Sequence, residues 1–197
     1  AGCSSSGGTS GGSGGSEVAQ DAIIYSVNGD PQSFNPDMRT DDYAYAINQN
    51  IYNRLVKLNA EDQVIPDLAE SWEFSDDGMT LTFHLNENAM WHDGEPVTSE
   101  DVKWTFDTIM ENNWAKSDAL AIPDEHTVVL NLTQRDVSIV AKLGWYATFI
   151  MPEHIWNNPD YADFTSNPAT WDPIGSGSYK FENYEAGVAT TLVKVHV

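Results

Sequence analysis

Apolar and polar positions alternate most clearly in two neighbouring runs. Trp72 and Phe74 alternate with polar residues in "ESWEFS", and Leu81, Phe83 and Leu85 do the same in "LTFHL". A period of two is the mark of a half-buried strand. The "DDG" at 76–78 between the runs predicts a β-hairpin. Elsewhere the period lengthens. Tyr43, Ile47, Ile51 and Leu55 recur at helical spacing and predict a helix over about 41–54, with Thr40 as cap and acids in its first turn. Val102, Phe106 and Ile109 predict a second helix over 98–110, capped by Thr98 or Ser99 and begun by Glu100 and Asp101.

Shorter signals fill the rest. "AIIYSV" (22–27) reads as a buried strand ended by "NGDP", and "DPQSFNPD" (30–37) as extended loop, because its prolines oppose helix. "HTVVLNL" (126–132) reads as a strand, and "VSIVAKLGW" (137–145) as helix. "YATFIMPEHIW" (146–156) reads as an apolar strand or turn, and the closing "SYKFENYEAGVATTLVKV" as a hairpin around Ala186-Gly187. No regular βαβ rhythm and no fixed repeat emerges, so the pattern implies a mixed α/β (α+β) chain. Trp72, Phe74, Leu81, Phe83, Leu85, Val102 and Phe106 are expected to share one core.

Charge changes the picture of partners. Among 197 residues, thirty acids face nine bases, for a net charge of −21. No basic stripe is available to neutralise phosphates, which argues against nucleic acid, and an anionic membrane surface is repelled likewise. The bland reading of the acidity is solubility, and the sharper one a salty habitat.

The single cysteine, Cys3, excludes an internal disulfide and a thiolate metal site. It sits in "AGC" ahead of a Gly/Ser/Thr run that behaves as a flexible tether over residues 1–20. This looks like the end of a bacterial lipobox, which implies a diacylated Cys3 as membrane anchor. An ordinary thiol in a disordered tail is the alternative.

"DPQSFNPD", "IYNRLVKLN", "PDLAESWEFSDDGMTLTFHL", "MWHDGEPVTSEDVKWTFD", "HTVVLNL" and "DPIGSGSYKFENY" follow one another in this order. Together they resemble the N-terminal part of the family 5 extracellular solute-binding proteins, the peptide-binding components of ABC importers. The resemblance implies a type II periplasmic-binding-protein fold. Residues 21–48 would start lobe I, 49–170 would form a subdomain inserted in it, and 171–197 would return to it. A second lobe would lie beyond residue 197, and the chain would be truncated. The implied work is capture of a peptide or similar small solute and delivery to a permease, without catalysis or cofactor. Three departures stand out: a short 113–123 segment, Ser178 where the family usually has Pro, and a stop at "VHV".

Loops at strand ends line such clefts. Asp30 could meet a peptide ammonium group, and Gln32 and Ser33 a peptide main chain, with Phe34 beside them. Trp145 and Tyr146 are further cleft candidates. A proline-rich turn leaving a strand is the competing reading of 29–34. "WHDGEP" (91–96) reads as a tight turn before a helix, not as chemistry. No H-x-x-x-H or G-x-S-x-G occurs, so neither a zinc site nor a serine hydrolase is supported. Trp72 and Trp104 are expected in packing. A sensor of the same fold without transport, and a secreted hydrolase, are the rival functions.

Overall fold

The computed structural model describes residues 22–25, 29–37, 41–110, 119–145 and 149–195. Cys3, its tether, Thr40 and Tyr146 lie outside them.

Three antiparallel sheets organise the chain. The first joins its two ends: β1 (Ala22–Tyr25) pairs with β9 (Ala189–Lys194), which pairs with β8 (Tyr179–Glu185). Ile23 stands opposite Leu192 in that register. Gly187 turns the β8–β9 hairpin at a positive φ of 71°, as the Ala-Gly pair predicts. A short ribbon of β2 (Val56–Leu58) and β3 (Val64–Pro66) follows. The third sheet has four strands in the order β4-β5-β7-β6: Ala69–Phe74, Thr80–Leu85, Thr127–Asn131 and Ala119–Asp124. Trp72 faces Phe83 across the predicted hairpin, and Gly78 supplies its positive φ. Strands β2, β3 and β6 were not legible in the pattern. The first two are three residues long, and β6 carries Pro123 near its end.

Helix α1 (Asp42–Ile51) is capped by Asp41, whose carboxylate accepts the Tyr43 and Ala44 amides. The helix ends three residues earlier than its apolar spacing suggests. Tyr52 already has extended backbone, and the carbonyls of Arg54 and Leu55 accept the Leu68 and Ala69 amides instead. Helix α2 (Ser99–Thr105) packs on β6 and β7 and continues as a π-turn over Phe106–Met110. α3 (Ile139–Leu143) packs on β2.

The 146–156 segment differs from the strand or turn expected. Its end is a short helix, α4 (Glu153–Trp156). Asp101 is the reason: one carboxylate oxygen accepts the Glu153 amide at 2.8 Å, while the other accepts the Thr98 amide and the Trp91 indole N–H. One buried acid thus satisfies orphan donors at the starts of two helices.

The main core fills the space between the four-stranded sheet and α2. Leu81, Phe83, Leu85, Val102 and Phe106 are buried in it, with Trp72 and Phe74 packed at its margin. This is the core the alternation predicts. A second cluster holds Phe34, Ile47, Ile51, Tyr52, Phe149 and Leu192, and ties α1 to the first sheet. Trp104 packs against a third, small cluster around Trp156. Among the described residues no helix is long and apolar enough to cross a membrane.

Candidate functional site

The 29–34 loop is held from three sides. The Gln32 amide donates to Asp41, the helix cap. The Phe34 amide donates to the Thr170 carbonyl at 2.8 Å, and the Phe34 carbonyl accepts from Asn48. Asp30 accepts the Gly187 amide at 2.8 Å, so its carboxylate ties the loop to the β8–β9 turn. Gln32 is exposed, whereas Ser33 is buried and accepts the Asn35 amide. Phe34 has no exposed surface. Its ring meets Trp171, Phe181 and Tyr184 at 5.3–5.9 Å, so it anchors the loop to the first sheet. Among the four loop residues singled out by sequence, Gln32 and Asp30 are the ones with side chains at the surface.

Trp145 lies elsewhere, just past α3, and is 57% exposed. It lines a cleft of about 310 Å³ with Tyr45 and Gln49 of α1, Arg54, Leu58 and Asp62. Helix α1 connects the two regions: its cap holds the 29–34 loop, and its Tyr45 and Gln49 line the cleft.

Sequence reasoning passed over Arg54. The residue is only 8% exposed in a chain with few bases. Its guanidinium lies 4.3 Å from the centre of the Phe149 ring, and one of its amino groups donates to the Tyr45 hydroxyl at 3.0 Å. Burial pushes its pKa down, against the opposing pull of Tyr45 and Asp67. Asp67 is largely committed to other donors: the Arg54 backbone amide, the Asn53 side chain and Lys57. The clue in the sequence was an Arg set between the apolar pairs Ile51-Tyr52 and Leu55-Val56, with Asn53 its one polar neighbour in "IYNRLV".

The "WHDGEP" turn is a structural clamp. The Gly94 amide donates to the Trp91 carbonyl, at a φ of 97°. His92 then grips the "IGSGS" segment. Its Nδ1 accepts the Gly175 amide at 3.3 Å, which leaves Nε2–H to donate to the Gly177 carbonyl at 2.9 Å. Burial pushes the His92 pKa below its ordinary value, and proximity to Lys180 adds to that, against the Gly177 carbonyl and Asp93.

A larger opening, about 630 Å³, runs along the end of the four-stranded sheet. Carboxylates of Glu70, Glu87 and Glu125 line it with His84 and His126. Among the described residues no group of three or more His, Cys, Asp or Glu could hold a metal ion.

Comparison with known proteins gives these sites a context. The profile of the family described as bacterial extracellular solute-binding proteins, family 5 Middle, matches residues 63–196. The dipeptide-binding protein of Escherichia coli is 28% identical over 200 residues, 85% of this chain and 36% of that protein. A putative ABC transporter peptide-binding protein of Brucella abortus is 36% identical over 135 residues, 64% of this chain and 25% of the relative. Among solved structures, the ABC transporter substrate-binding protein CtaP of Listeria monocytogenes superposes with a TM-score of 0.75 at 29% identity. That match covers 86% of this chain and 36% of CtaP. The oligopeptide-binding protein AppA of Bacillus subtilis, solved with a nonapeptide, superposes with a TM-score of 0.73 at 26% identity, over 85% of this chain and 35% of AppA. The chain therefore spans about a third or less of the length of these relatives. The fold is the mixed α/β, type II periplasmic-binding-protein fold that the ordered motifs implied. On the match over residues 63–196, this chain belongs to the family 5 bacterial extracellular solute-binding proteins.

Proposed function

We propose that this chain is part of a lipid-anchored substrate-binding protein that captures peptides, or a similar small solute, outside the cell and delivers them to an ABC importer permease. The observation that carries the reading is the cleft beside α1, which a buried Arg54 and an exposed Trp145 both line, in a member of this family. A cationic group and an aromatic face are what a polar solute with an apolar part requires. In this reading ligand binding shifts two lobes from open to closed, and the closed form docks on the permease.

The proposed division of the chain is a start of lobe I over 21–48, an inserted subdomain over 49–170 and a return over 171–197. Pairing of β1 with β9 supports it, since the two ends share a sheet that the intervening strands do not enter. Gln32, Asp30 and the backbone of the 29–34 loop, together with Trp145 and Tyr146, remain the proposed ligand contacts. Ser33 and Phe34 would contribute by holding that loop. Cys3 is the proposed lipid anchor.

Two experiments test this. Purification of the full-length protein from its native membranes, in the presence of mixed di- to pentapeptides, should recover an ABC permease. Recovery of a signalling receptor in its place would make the protein a sensor. Cells fed a radioactive fatty acid should label the wild type but not Cys3→Ser, and equal labelling would remove the anchor.

A further inference from the structure

The charge of Arg54 is poorly matched by its surroundings. Its Nε has no hydrogen-bond partner among the described residues, and no described carboxylate lies within ion-pair distance of the guanidinium. Its contacts are instead a ring face and a phenol: Phe149 beneath it and the Tyr45 hydroxyl beside it. Asp67 acts on it from beyond ion-pair distance and is engaged by the Arg54 backbone amide, the Asn53 side chain and Lys57. A guanidinium kept this far from water with so few acceptors bears a desolvation cost that an anion would offset.

The position is also reachable. Arg54 lines the 310 Å³ cleft rather than lying sealed beneath it. Gln49 adds an amide to the same cleft, and Leu58 and Trp145 add apolar surface. Asp62 is the one acid among the described lining residues, so the cleft disfavours anions of high charge density while still admitting a single carboxylate. The fork of a guanidinium matches a carboxylate geometrically, and an indole face suits the apolar group attached to it.

We infer that Arg54 is the recognition point for the carboxylate of a small solute such as a short peptide's C-terminus, with Trp145 covering the adjacent side chain. This rests on the capture reading above and names the ligand chemistry of its cleft. Tyr45 and Phe149 hold the guanidinium in place; they position it and are not themselves the recognition point.

The test is NMR titration of this 197-residue chain. The probes are N-acetyl-phenylalanine and its C-terminal amide, read on the Arg54 Nε–H and the Trp145 indole N–H signals. The acid should shift both signals with a Kd on the order of millimolar. The amide should bind at least about tenfold more weakly, because a charge-assisted hydrogen bond is lost. Arg54→Met should abolish the discrimination. Trp145→Ala is at an exposed position and should fold normally, with acid binding weakened by roughly threefold to tenfold. Equal shifts with acid and amide, equal shifts with inorganic phosphate, or no shift at concentrations on the order of ten millimolar would each overturn the assignment. The capture reading is decided separately by permease recovery. Discrimination without a permease would leave the Arg54 site standing, and a permease without discrimination would leave capture standing and remove this site.

Discussion

The Gly177 amide donates to the carbonyl of Ile51, the last residue of α1, at 2.7 Å. This bond welds the segment entering β8 to the end of the helix that borders both candidate ligand regions. The approach is so close that side chains are excluded. A Cβ at Gly175 would overlap the Ile51 carbonyl oxygen, and one at Gly177 would come within 2.5 Å of the Asn50 carbonyl oxygen. The glycines of "GSGSY" are there for backbone contact. Gly175→Ala should therefore destabilise the fold by about 3 kcal/mol, since the obstacle is backbone and cannot swing aside. A urea-unfolding midpoint equal to that of the wild type would refute the close approach.

His92 makes the same junction sensitive to acid. Its folded pKa is depressed, so the folded state prefers the neutral ring. The contribution is present above the unfolded value of 6.5 and is lost as pH falls from there through the folded pKa. Protonation of Nδ1 would turn the acceptor of the Gly175 amide into a second donor facing a donor. Stability measured by urea unfolding should fall as pH drops below about 6.5, and His92→Gln should flatten that part of the profile. An unchanged slope in the variant would assign the acid sensitivity to other groups.

Phe83 tests the main core. Its side chain is fully buried on the central strand β5, between β4 and β7. Phe83→Ala should cost about 3–5 kcal/mol. A loss under about half a kcal/mol, typical of a surface site, would mean that the strand register is wrong.

Asp41 joins helix and loop. It caps α1 and also accepts the Gln32 amide. Asp41→Ala should lower stability by about 2 kcal/mol, at the upper end for a cap, because two structures lose their anchor. Amide exchange of residues 32–34 should speed up more than exchange in β5. Uniform acceleration would show that the loop does not depend on the cap.

Local regularity made much of this protein readable before folding. The alternation of Trp72, Phe74, Leu81, Phe83 and Leu85 places a hairpin and its buried face without reference to distant residues, because a strand's period is a property of the backbone. The Asp-Gly and Ala-Gly turns are similarly local. The ordered motifs of the family are long enough to imply the fold as well. What tertiary structure alone decided is which distant groups share a site. Nothing in the spacing shows that Asp101 caps a helix starting 52 residues later, or that His92 closes on glycines more than eighty residues away. Nor could the sequence show that Phe34, the aromatic of a loop suited to ligand, is spent on packing. Arg54 reads as one more polar residue at the end of a predicted helix until Phe149 and Tyr45 enclose it and Trp145 borders its cleft. Period and turn chemistry act between neighbours in the chain. Burial and the matching of buried charge depend on every element that packs around a group, and are defined only once the chain has closed on itself.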